Sequence, residues 1–237
     1  MGRIHRYRTA WSRHHRSGGF GIHSPFAFGF VQRVLGERCP YYAYADLKRF
    51  RAHALEMVPW RRRRSAVVGM STVKMLFRIA NFYNPRHLLV VGSCYGVEAA
   101  SVKAVSGKSE VFLAGTSSEA VAHLQAAFSA QSVHSFSEFT EALTHYFAAL
   151  AEDEQPFVLI HEIDDEIDYS TLKSAILPWV EKQAVLILCH LHDNPLMHRL
   201  WKDCIAAGHY GQTYTNEKIG IFIINPKLQY EHFSLWF

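Results

Sequence analysis

From His87 onward, short β-rich apolar runs alternate with segments of helical character, and that alternation admits few folds: a mostly parallel sheet with helices on both faces. Strands are predicted over residues 87–91, 111–114, 133–136, 157–161, 184–190, 209–214 and 219–224. Helices fit between them at 97–105, 118–129, 137–150, 169–180 and 195–207. Only Thr215, Asn216, Glu217 and Lys218 join the last two strands. That is too short for a helical crossover, so the pair is expected to be an antiparallel hairpin.

The first strand runs into VGSCYG, residues 91–96, and then into a helical pattern. Glycines let a backbone come close to a ligand, and a helix N-terminus offers unpaired N–H groups and a positive dipole end. The spacing differs from the dinucleotide fingerprint G-x-G-x-x-G, and no Lys follows as in a phosphate-cradling loop. A nucleoside ligand therefore suits the turn better than a pyrophosphate. The same residues also satisfy the tight strand-to-helix turn that any doubly wound protein needs, and both readings stand at this point.

At 237 residues and 49% hydrophobic content the chain suits one large domain, or a domain with an N-terminal extension. No apolar run reaches the ~18–20 residues of a membrane span, and the first residues lack a secretory apolar centre, so a cytoplasmic chain is expected. Cys39, Cys94, Cys189 and Cys204 form no C-x-x-C pair, which implies neither a zinc framework nor disulfides. Charge is divided unevenly: Lys and Arg outnumber acids 14 to 3 before residue 65, and acids outnumber them 18 to 11 after it. The basic arm, 1–17, suits an anionic partner or folds back on the acidic body; it also fits a mitochondrial targeting segment if the source is eukaryotic.

After the arm, GGFGIHSPF reads as a glycine-rich turn into a helix capped by Ser24 with Pro25 in the first turn, running to about Leu35. A second helix is expected over 42–57 and a third over 72–82, capped by Ser71 and ended by Asn84-Pro85. The predicted division is thus a basic arm at 1–17, a helical lead at 18–84 packed on the body, and an α/β domain at 85–237.

GGFGIHSPFAFGFV, the following YYAY, KMLFRIANFYNP, VGSCYG and the Met197-to-Trp201 spacing of PLMHRLW resemble class I S-adenosylmethionine-dependent methyltransferases. The resemblance is to a bacterial, Bacteroidetes-type branch with an N-terminal helical lead. It implies a Rossmann-like sheet of seven strands in the order 3-2-1-4-5-7-6, the seventh antiparallel. It also implies an S-adenosylmethionine site over the carboxyl ends of strands one, two and four. Gly92, Ser93, Cys94, Tyr95 and Gly96 of the turn, Gly115 and Thr116 after the second strand, and His161 and His190 after the fourth and fifth would line it. Gly92, Ser93 and Gly96 would approach the methionine part and the ribose.

Departures from that family cluster in the same crevice. Val90 stands where such enzymes carry an acid before the turn, and Leu113-Ala114-Gly115-Thr116 replaces the acid that binds the ribose hydroxyls. His161-Glu162 and Cys189-His190 replace the Asp-bearing ends of strands four and five. Losing the ribose carboxylate forfeits about 1.5–3 kcal/mol, so a weakened cofactor site is expected. On this view an acid restored at Ala114 would recover affinity. Thr116 and Glu119 are polar neighbours that also suit the start of the next helix.

Some methyltransferases acting on vicinal hydroxyls hold Mg²⁺ with carboxylates and an amide at the loops after strands four and five. Here the acids Glu162, Asp164, Asp165, Glu166 and Asp168 begin late, and the run reads as a solvated helix entry; no metal ligands are assigned. Among 15 histidines, His161 and His192 are the candidate bases for a hydroxyl acceptor. Cys94 and Cys189 read as small buried thiols. Two functions compete: methyl transfer to an unidentified acceptor through a degenerate site, and a non-catalytic binding module that uses the basic N-terminal region. The sequence leaves acceptor and oligomeric state open.

Overall fold

A computed structural model describes residues 18–61, 66–163, 169–180 and 183–237. The basic arm, Arg62, Arg63, Arg64 and the acidic stretch 164–168 lie outside the described residues.

Three helices lead the chain: α1 (Pro25–Phe30), continued by a π-helical turn (Val31–Leu35), α2 (Ala43–Met57) and α3 (Met70–Tyr83). Ser24 accepts from the Ala27 N–H at 3.3 Å and Pro25 opens α1, as the sequence predicts. The expected single helix to Leu35 widens after Phe30, and Arg78 of α3 takes the carbonyls of Val34 and Leu35 at 2.6 and 2.8 Å. The capping assignment of Ser71 is corrected: α3 begins at Met70 after Gly69 and has no side-chain cap.

The body follows as β1 (His87–Val91), α4 (Val97–Lys103), β2 (Glu110–Ala114), α5 (Ser118–Ala127), β3 (Val133–Phe136), α6 (Phe139–Ala149), β4 (Phe157–Ile160), α7 (Tyr169–Val180), β5 (Ala184–Leu188), α8 (Pro195–Ala207), β6 (Gln212–Thr215), β7 (Gly220–Ile224) and β8 (Glu231–Ser234). The sheet order is β3-β2-β1-β4-β5-β7-β6-β8. β7 runs antiparallel to β5 and β6, and the other pairs are parallel. The predicted fold class and order therefore hold, with one strand more than the seven expected.

β8 escaped prediction because its run is short and mostly polar. It pairs with β6 through its backbone, while Thr213 Oγ1 lies 2.6 Å from His232 Nδ1 and the Gln212 amide donates to Glu231 at 3.1 Å. Phe233 then stacks on Tyr214, which also meets Phe30 of α1. The same Gln212 amide reaches Ser24 at 2.7 Å, so the far edge of the sheet is tied to the start of the helical lead.

Two apolar layers flank the sheet. One gathers Phe30, Leu47, Phe50, Leu76 and Ile79 of the lead with Leu88, Val90, Leu113, Leu159 and Ile187. The other packs Leu143 and Tyr146 of α6, Ile176 of α7 and Leu200 of α8 against Leu89, Val91, Val158 and Leu186. Each buried side chain of this size is worth roughly 1.5–3 kcal/mol. Because β1, β4 and β5 are covered on both faces, only their carboxyl ends are free to carry chemistry.

Candidate functional site

β4 and β5 end earlier than the sequence suggests, and their last predicted residues become the site. The backbone ladder continues one bond beyond each strand: the His161 N–H donates to Val91 at 2.8 Å and the Cys189 N–H to Ile160 at 2.9 Å. His190 then turns left-handed at φ 55, which ends the extended run. A left-handed backbone at a non-glycine residue is uncommon and tends to collect at functional sites.

Four polar side chains meet there. The Ser93 hydroxyl donates to Glu98 Oε2 at 2.6 Å. Glu98 Oε1 lies 3.4 Å from His161 Nδ1, and His161 Nε2 lies 3.3 Å from His190 Nε2, with the imidazole rings at 87°. Ser93, Glu98 and His161 are buried, and His190 is half-buried. The Glu98–His161 approach is not aligned as a hydrogen bond, so both facing atoms keep unused bonding capacity. A carboxylate beside Nδ1 favours the tautomer protonated there, which leaves the Nε2 lone pair facing His190. Burial first, then neighbouring His161, hold the His190 imidazole below the usual histidine value. Burial also pushes the Cys189 thiol up, which keeps it neutral.

Sequence reasoning placed His161 and His190 in this crevice but missed Glu98. All of α4 is buried, Glu98, Ser101 and Lys103 included. An acid inside such a helix must find a partner; that was the available signal.

The glycines of the turn also serve the packing of the fold. Gly96 caps α4 at φ 72, and a Cβ there would meet Leu124 of α5 at 3.1 Å, so its missing side chain makes room for the fold itself. A Cβ on Gly92 would sit 1.9 Å from the Glu162 carbonyl oxygen, because the loop after β4 lies directly against the turn. The N–H groups of Cys94 and Gly96 are spent within the turn, on Gly92 and Ser93 at 2.9 Å each. Those of Ser93 and Tyr95 take no part in that pattern. Cys94 is exposed rather than buried.

On the β2 side, Ser117 and not Thr116 caps α5, accepting from Ala120 at 3.3 Å. The Thr116 hydroxyl is buried with no partner, and Gly115 beside it is exposed at φ 68. Ala114 points into the apolar layer with Phe112 and Phe139, so an acid at 114 would not reach the crevice.

His192 does not join the cluster. It is exposed and lines a separate cavity of about 620 Å³ with Asn194, His198, Trp201 and Thr215. Cavities of about 630 and 660 Å³ between the lead and the C-terminus hold none of the turn residues. The Asn194 amide oxygen is engaged in capping α8 through Leu196 and Met197, and the acids at 164–168 lie outside the described residues. Among the described residues no group of three or more His, Cys, Asp or Glu side chains gathers as a metal site.

Sheet order, reversed β7 and a glycine turn at the switch point between β1 and β4 define a Rossmann-like fold of the class I methyltransferase type, as solved structures bear out. An O-methyltransferase from Bacillus cereus, crystallised with SAH, is 15% identical over 81% of this chain and 96% of its own, with a TM-score of 0.53. The O-methyltransferase TomG from Streptomyces achromogenes, involved in tomaymycin synthesis and crystallised with SAM, is 13% identical over 79% of this chain and 91% of its own, at a TM-score of 0.52. A methyltransferase from Geobacter sulfurreducens matches 85% of this chain and 98% of its own at 12% identity and a TM-score of 0.51. No family model and no curated protein matches the chain. Among the described residues, no helix is long and apolar enough to cross a membrane.

Proposed function

We propose that this protein binds S-adenosylmethionine weakly over the carboxyl ends of β1 and β2 and uses it to methylate an acceptor in the cytoplasm. The observation that carries the reading is the glycine turn with the unpartnered Thr116 hydroxyl opposite it, in a fold shared with methyltransferases crystallised with SAM or SAH. The Ser93 and Tyr95 N–H groups would face the cofactor's carboxylate, and Thr116 would meet a ribose hydroxyl across exposed Gly115. When bound, the cofactor supplies an electrophilic methyl group, and this chain's contribution is to place the acceptor in line with it.

The general-base assignment to His161 or His192 is dropped from this reading. His161 is buried between Glu98 and His190, and His192 belongs to the neighbouring cavity. The reading takes 85–237 as the α/β unit, with 18–84 as a lead sharing its apolar layer and the basic arm as a contact for an anionic partner.

The absence of a carboxylate at Gly115 and Thr116, and the internal use of two turn N–H groups, favour the second reading, a non-catalytic binding module. Calorimetric titration with S-adenosylmethionine and S-adenosylhomocysteine separates the two. The methyl-transfer reading expects dissociation constants above ~10 μM but measurable; the absence of heat at millimolar ligand leaves the binding module.

A further inference from the structure

The cavity of about 660 Å³ between α3, the segment after α1 and the β6–β7 link has no part in the methyl-transfer reading. The geometry there points to a binding site for a small aromatic anion, a carboxylate or a phosphate ester. Arg38, Lys74 and Arg78 line the cavity against one acidic side chain, Glu37. Lys74 and Arg78 stand four residues apart on α3, a spacing at which like charges oppose each other along one helix face. Among the described residues none of the three cations forms an ion pair.

The fold positions these charges without neutralising them. Arg78 donates Nε and Nη2 to the uncharged carbonyls of Val34 and Leu35 at 2.6 and 2.8 Å, which fixes the guanidinium in place. Lys74 holds its ammonium 5.1 Å from the centre of the Tyr44 ring. Glu37 is in electrostatic reach of Arg78, but its Oε1 already accepts the N–H groups of Arg38 and Cys39 at 2.7 Å each. α3 opens on the same wall without a side-chain cap, so the positive end of its dipole adds to the field of the cations. The aromatic part of the ligand follows from the remaining lining: Tyr41 and Tyr44 meet edge to face at 5.4 Å beside Met75, an apolar surface on which a ring can rest. The volume falls within the ~300–1,000 Å³ of small-molecule sites.

The inference does not depend on S-adenosylmethionine binding, and its test is read on the full chain without an activity assay. Benzoate, phenyl phosphate, benzyl alcohol and inorganic phosphate are titrated by calorimetry at low ionic strength. Benzoate and phenyl phosphate should each bind as one equivalent, at least about tenfold more tightly than benzyl alcohol, which lacks the charge, and than inorganic phosphate, which lacks the ring. Lys74→Gln should weaken both aromatic anions by about tenfold to a hundredfold, the effect of losing one charge-assisted partner, with the fold intact by circular dichroism. Adding Arg38→Gln should weaken them further. Lys108→Gln with Lys227→Gln, exposed cations outside the cavity, should change nothing. The inference is overturned if neither aromatic anion binds at millimolar concentration, if benzyl alcohol or inorganic phosphate binds as tightly as they do, or if a folded variant carrying both Lys74→Gln and Arg38→Gln binds them as well as the native chain.

Discussion

Restoring a carboxylate for the ribose separates two placements of the cofactor, at Ala114 and at Gly115. Ala114 is 2% exposed and packs with Phe112, Phe139 and Ala142, so Ala114→Asp buries a charge in an apolar layer. An uncompensated buried charge costs about 3–5 kcal/mol. At about 2–4 °C per kcal/mol for a chain of this size, Tm should fall by roughly 6–20 °C. Gly115 is the opposite case: it is exposed, and a Cβ would stand at ordinary contact from Gly92, 3.4 Å from its Cα. Its φ of 68 costs a side chain about 1–2 kcal/mol, reduced for Asp, which visits that region more readily. Gly115→Asp should therefore fold and gain about 1.5–3 kcal/mol toward the ribose hydroxyls, roughly a tenfold to hundredfold tighter dissociation constant. Thermal unfolding and calorimetry with S-adenosylmethionine read both variants. An Ala114→Asp protein with unchanged Tm and improved binding, or a folded Gly115→Asp protein with no gain, would refute the reasoning.

The remaining predictions concern the scaffold. Gly96→Ala should lower stability by about 1–2 kcal/mol through its left-handed backbone and the contact with Leu124, leaving cofactor affinity unchanged; unaltered urea unfolding together with lost binding would return Gly96 to the ligand site. Glu154 accepts both the His87 backbone N–H at 2.9 Å and its Nδ1 at 2.7 Å where β1 begins, so Glu154→Ala should cost about 1–3 kcal/mol in urea unfolding. His123 stacks on Phe50 at 4.0 Å, and burial first, then His53, hold it below the usual histidine value. As pH falls through about 6.5 the unfolded chain gains a proton that the folded chain resists, so stability drops until the lower folded value is reached. His123→Phe should flatten that drop when urea midpoints at about pH 7.5 and about pH 5.5 are compared; an unchanged slope would exclude His123 as its source.

The central strands were legible because each apolar run is bounded by a turn residue, the four-residue link before β7 permits only reversal, and the order in the sheet followed from the family resemblance. β8 was not legible, since its energy comes from pairing with β6 and from Phe233 meeting Tyr214, contacts distant in sequence. In the site, the turn and the two histidines could be read from position alone. Their relation could not, because it depends on how far each strand runs: His190 turns left-handed and meets His161, while His192 leaves for another cavity. Glu98 was hidden because the burial of its whole helix is set by tertiary packing, and its partners come from the turn and the neighbouring strand end.

Amide chemical-shift mapping of the full chain with S-adenosylhomocysteine tests the cofactor placement most directly, since it reads where a weak ligand sits. The account predicts the largest shifts at Ser93, Tyr95, Gly115 and Thr116. Shifts gathered instead at Leu191, His192, Trp201 and Thr215, or no shifts at millimolar ligand, would contradict it.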